Sequence, residues 1–185
     1  TNAQSRALEE TFVVRNIKHK LIGATRFYER KEIKDALAYL RLVHNPADTV
    51  AMDRIINVPA RGIGLKTYAT LKSWASDVGV SPYEALMVLL HGADEAGARV
   101  DRMLPGADSE PAPINTRAKN SLVAFAKALE SWLQLRRNER YQSVADLLDL
   151  ILDDAGYIEA LRAGTDEGEE RCDKLQELRG VAAQS

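Results

Sequence analysis

From residue 31 onward, apolar residues return every three or four positions almost without a break, a spacing that suits the 3.6-residue turn of an α-helix and no strand. Ile33, Leu37 and Leu40 form one such face, and Tyr68, Leu71, Ala75 and Val78 another. Leu122, Phe125, Leu129, Trp132 and Leu133 form a third, followed by Val144, Leu147, Leu148, Ile151 and Leu152. The starts are marked as clearly as the faces. Asp48 is placed to cap the helix carrying Ile55 and Ile56, which stops before Pro59. Ser81 stands one residue before Pro82 and three before Glu84, and Ser143 three before Asp146, both patterns of a helix N-terminus. "HNPAD" at 44–48 is a turn, and "LPGADSEPAPINT" at 104–116, with three prolines, is a loop. Ahead of this region, Ala3, Ala7, Leu8 and Phe12 sit near helical spacing, and Leu21 and Ile22 read as a short strand closed by Gly23. At the other end, "AGYIEALR" gives a short helix, then a Gly-rich acidic loop through 166–170 and a last helix. The expected fold class is mainly α, a multi-helix domain with one short N-terminal strand.

Apolar residues make up 45% of the 185 and charged residues 28%, the balance of a water-exposed globular chain with room for one or two domains. No apolar run approaches the roughly 20 residues that cross a bilayer, so no membrane partner is expected. With no leader pattern visible, the sequence reads as a segment of a longer cytoplasmic protein. Cys172 is the single cysteine, so neither an internal disulfide nor a shared-thiolate metal site can form. His19, His44 and His91 have no spacing that suggests a metal site or a base beside a nucleophile. No catalytic residue and no metal ligand is therefore assigned. The net charge of -2 conceals an asymmetry: residues 1–75 hold 13 of the 25 Lys and Arg but 7 of the 27 Asp and Glu. A basic first part suits a polyanionic partner on that side, and equally a solvated surface with clustered charge.

The stretch that concentrates these hints is "PARGIGLKT" at 59–67, between two helical segments. Gly62 and Gly64 permit a tight turn or a close backbone approach, while Ile63 can anchor the turn in the core. A helix starting near Leu65 presents unpaired amides and the positive end of its dipole, which makes an anion site. Lys66 and Thr67 add side-chain donors there, and Arg61 can reach a neighbouring phosphate. The spacing has the form of a helix-hairpin-helix, a module that grips nucleic-acid backbone without reading bases. A structural turn between packed helices fits the same residues. A second cluster, "GATRFYERKEIKD" at 23–35, offers Arg26, Arg30, Lys31 and Lys34 to phosphates, and Phe27 or Tyr28 to a base. Its alternative is a core Phe27 and Tyr28 with charges paired along the helix. No GxxxxGK[ST] phosphate loop occurs, so nothing here hydrolyses a nucleotide unaided.

Four blocks in fixed order, "TNAQSRALEE", "FYERKEIKDALAYLRLV", "INVPARGIGLKT" and "AGYIEALR", resemble the C-terminal half of UvrD/PcrA/Rep-type superfamily 1 DNA helicases. "TNAQSR" resembles the tail of helicase motif IV, "FYERKEIKD" motif IVa, and the Gly-Ile-Gly segment the duplex-contacting element of the 2B subdomain. "ERCDKLQEL" is similar to the family's Arg-x-Glu-Asn-Leu segment, with Asp173 and Lys174 in place of Glu and Asn. The resemblance implies a piece of the 2A motor lobe at 1–44 and a helical 2B subdomain at 45–185. It implies that Arg61, Gly62, Ile63, Gly64, Lys66 and Thr67 face the phosphates of double-stranded DNA. Arg26, Phe27 and Arg30 would lie near single-stranded DNA beneath the 2A piece. The parent would be an ATP-dependent 3′ to 5′ helicase using ATP and Mg²⁺ bound outside this segment, with its motor lobes as further partners. The segment itself would bind no cofactor and be inactive alone. The alternative is a helical protein-interaction or autoregulatory module that does not touch DNA.

Overall fold

A computed structural model describes residues 27–100, 114–163 and 166–182, and the backbone alone over 92–100 and at 166. All the regular structure among the described residues is helical, as the apolar spacing requires. The strand at Leu21 and Ile22, the helix before it and most of the 104–116 loop lie outside them.

The helices run α1 (Lys31–His44), α2 (Thr49–Ile55), α3 (Leu65–Asp77), α4 (Pro82–Val100), α5 (Thr116–Arg137), α6 (Val144–Asp154), α7 (Tyr157–Arg162) and α8 (Asp166–Ala182). Three starts are fixed by the side chains that the spacing singled out. The Asp48 carboxylate accepts from the Ala51 amide at 2.9 Å and is held by Arg41 at 2.9 Å. Ser81 and Glu84 form a reciprocal box: the Glu84 amide donates to Ser81 Oγ at 3.2 Å, and the Ser81 amide to Glu84 Oε2 at 2.7 Å. Ser143 Oγ accepts from the Asp146 amide at 3.1 Å, and Asn115 Oδ1 caps α5 by accepting from Ala118 at 2.9 Å.

α1 is the hub. It packs against α2, α5, α6 and α8, and Ile33, Ala36, Tyr39, Leu42 and Val43 are buried in one cluster with Leu122, Phe125, Leu129, Trp132 and Ile151. Residues 31–44, grouped by sequence with the 2A piece, therefore share their core with the helices that follow. Edge-on aromatic pairs fill its centre, with the Tyr39 and Trp132 rings 5.4 Å apart and those of Phe125 and Trp132 6.3 Å apart. Trp132 Nε1 donates to Asp154 Oδ2 at 2.6 Å, which satisfies its one buried donor.

At the C-terminal end the acidic stretch 166–170 is the first part of α8 rather than a loop. Gly168 is buried, and a Cβ there would lie 2.2 Å from the Leu161 carbonyl oxygen. The glycine that reads as a loop residue is what lets α8 lie against the backbone of α7.

Candidate nucleic-acid interface

Segment 56–64 joins α2 to α3, and its conformation follows from a few side chains. Gly62 has φ 74°, the left-handed region that a Cβ penalises by about 1 kcal/mol, and here the added carbon would also meet Ser121 Oγ at 3.4 Å. Ile63, 2% exposed, enters the core. Asn57 Oδ1 accepts from the Arg61 amide at 2.8 Å and the Ile63 amide at 3.1 Å, so one acceptor bridges both sides of the turn. Gly64 is different. Its φ of -72° and ψ of 162° suit any residue, and a Cβ there would meet nothing within 4 Å. Nothing among the described residues asks for a glycine at 64.

Past Gly64, α3 begins without a side-chain cap, so its first amides are not spent on a neighbouring side chain. Lys66 is exposed and joins none of the ion pairs among the described residues; Thr67 is half-buried one residue on. Leu65, at the first helical position, is 92% exposed. Amide donors, the positive end of a 13-residue helix and a lysine thus share one patch of surface, an arrangement that attracts an anion.

Two residues expected to face phosphates do not. Ile63 is buried because the turn needs an apolar anchor. The Arg61 guanidinium is turned inward: Nη1 donates to the carbonyl oxygens of Ile55 at 2.9 Å, Val58 at 3.0 Å and Pro59 at 3.3 Å. Nη2 donates to the Tyr39 hydroxyl at 2.7 Å, and the guanidinium carbon stands 5.4 Å over the Phe125 ring. The physical reason is the end of α2, whose last carbonyls have no helical partner and sit at the negative pole of the dipole, so a cation settles there. The Tyr39 hydroxyl in turn donates to the Val58 carbonyl.

The second cluster is arranged otherwise. Phe27 packs edge-on against Tyr28, ring centres 5.3 Å apart, and both lean on the core. Arg30 is half-exposed, 3.9 Å from Glu32, while Arg26 lies outside the described residues. These residues sit at the start of α1, whereas the turn meets α1 at Tyr39, about 14 Å further along the axis at 1.5 Å per residue. Sequence reasoning missed Asn57 and Tyr39. An asparagine two residues before a proline was a usable signal for the first, since its side chain readily bonds nearby backbone amides; nothing local pointed to Tyr39.

Residues 1–87, which include the whole turn, match the UvrD-like helicase C-terminal domain. Over nearly its whole length the chain is similar to ATP-dependent DNA helicases. It is 35% identical to the ATP-dependent DNA helicase PcrA of Bacillus subtilis over 98% of its own length and 22% of that protein's. Against the ATP-dependent DNA helicase UvrD1 of Mycobacterium bovis it is 35% identical over 98% of the chain and 21% of the relative. The PcrA of Staphylococcus epidermidis is 32% identical over 98% and 22%. The chain thus spans about a fifth of the length of the curated relatives it matches. Among the described residues, no helix is long and apolar enough to cross a membrane.

Proposed function

We propose that this chain is the duplex-gripping and regulatory 2B region of an ATP-dependent 3′ to 5′ DNA helicase, and that the turn at 62–67 holds the phosphate backbone of double-stranded DNA. ATP and Mg²⁺ serve the longer protein at sites outside this chain, whose own part is to hold DNA for a motor. The observation that carries the reading is Gly64. Its glycine has no steric or conformational cause among the described residues, and it sits where a phosphate would have to approach the amides of α3 closely. Lys66 supplies the charge and Thr67 a hydroxyl; Gly62 and Ile63 shape the loop from behind. Recognition of this kind is independent of sequence. Of the second cluster, Arg30, Lys31 and Lys34 are exposed and open to a single strand.

The test is a fluorescence anisotropy titration of a short labelled duplex across a salt series. Lys66→Ala is expected to lower the slope of log affinity against log salt by about 0.9, the value for one lost phosphate contact. Gly64→Ala is expected to weaken binding while changing stability by less than about 1 kcal/mol, because its Cβ has room inside the chain. Wild-type affinity in Gly64→Ala would sink the reading. One observation favours a second reading, a helical protein-interaction module: Leu65 is 92% exposed beside the turn. On that reading Leu65→Ala abolishes binding to the motor lobes and no variant of the turn alters duplex binding.

A further inference from the structure

An arginine flanking a candidate phosphate site is ordinarily assigned to the phosphate. Here its donors are already engaged. Arg61 Nη1 and Nη2 hold the Ile55 carbonyl at the end of α2, the Val58 carbonyl just past it and the Tyr39 hydroxyl, and its own backbone amide is taken by Asn57. To reach outward, the side chain would have to leave the Phe125 ring and give up the carbonyls at and just past the end of α2. Asn57 is committed in the same way, with both donors on its Oδ1 drawn from the turn itself.

We infer that Arg61 and Asn57 are positioning residues, which set the direction in which Gly64 and the first turn of α3 face a DNA backbone without touching it. The inference rests on the duplex reading above and separates two roles within it. Lys66 is a contacting cation; Arg61 is an internal strut. A strut and a contact both raise affinity, but they differ in counterion release. Losing a contact releases one fewer counterion and flattens the salt dependence, whereas losing a strut lowers affinity at every salt concentration alike. They differ also in what replaces them. Lysine restores a point charge to a phosphate but cannot reproduce the planar fork that spans three carbonyls and a hydroxyl.

The experiment measures duplex affinity across a salt series for the chain and for Arg61→Ala, Arg61→Lys, Asn57→Ala and Lys66→Ala. Circular dichroism confirms the fold of each, and amide hydrogen exchange reports on the turn. Arg61→Ala and Asn57→Ala are each expected to lower affinity about tenfold, the scale of one broken set of buried hydrogen bonds, with the salt slope unchanged. Arg61→Lys is expected to behave like Arg61→Ala. In Asn57→Ala the amides of residues 61 and 63 exchange faster while those of α1 and α5 stay protected, which a general loss of stability would not produce. Should Arg61→Ala fail to fold, Asn57→Ala carries the same comparison. A slope lowered by about 0.9 in Arg61→Ala, or binding restored by Arg61→Lys, overturns the inference and leaves the duplex reading standing. Failure of the unmodified chain to bind duplex removes both.

Discussion

Asp35 is the most deeply buried charge among the described residues, 1% exposed at the core face of α1. A carboxylate there is tolerable only if its lone pairs are answered. Arg54 Nε donates to Oδ1 at 2.7 Å, and the Tyr157 hydroxyl donates to Oδ2 at 2.9 Å. The group therefore ties α1 to both α2 and α7, and its worth lies in being fully satisfied, since breaking one arm strands the rest. Tyr157→Phe keeps the ring and removes the donor, so we expect a loss of about 1–3 kcal/mol, read from urea unfolding. A change under about half a kcal/mol would mean that water replaces the hydroxyl. Arg61 follows the same logic with the opposite sign: a cation kept inside by the carbonyls gathered just past α2 and by the Tyr39 hydroxyl.

At the level of elements, α6 shows how a local signal becomes a packing decision. Ser143 caps it, and Asp146 accepts from the Gln142 amide at 2.9 Å as well as being capped, so the first turn is closed from both directions. This fixes the rotation that buries Ala145, Leu147, Leu148, Ile151 and Leu152 against the core. On its outer side Asp149 meets Arg179 of α8 at 2.6 Å, where partial burial raises the Asp149 pKa, Arg179 opposes the rise and Asp146 adds to it. The pair is half-exposed, and a surface pair of this kind adds little. The cap matters more. Ser143→Ala is expected to cost about 1 kcal/mol in thermal or urea unfolding, and Ser143→Asp to restore most of it.

For the molecule as a whole, one prediction follows from three tyrosines in the helical core. Burial, foremost, pushes the Tyr39, Tyr68 and Tyr157 hydroxyls above their usual value, with Asp35 raising Tyr157 further, Asp53 raising Tyr68 and Arg61 partly opposing the rise at Tyr39. The folded state thus holds these protons more tightly than the unfolded chain does. Their contribution is fully present below the unfolded value of 10.0 and is lost as pH rises past it. We expect cooperative unfolding above about pH 10, with tyrosinate absorbance and helical dichroism changing together; tyrosinate forming while the helices persist would contradict it. Residues 1–75, which include α1, α2 and the turn, hold 13 of the 25 Lys and Arg but 7 of the 27 Asp and Glu. Much of this was legible in the residues: helix faces, three caps, and the place where Gly62, Gly64 and Lys66 gather. These depend on neighbours three or four positions away, and a chain carries that information locally. What only the tertiary structure decided was the direction of long side chains. The Arg61 guanidinium is turned inward because folding brought Tyr39 and Phe125 beside the end of α2. Asp35 found Tyr157 across 122 residues for the same reason. A flexible cation or a buried carboxylate goes wherever unmet hydrogen bonds collect, and that place exists only once distant helices have packed.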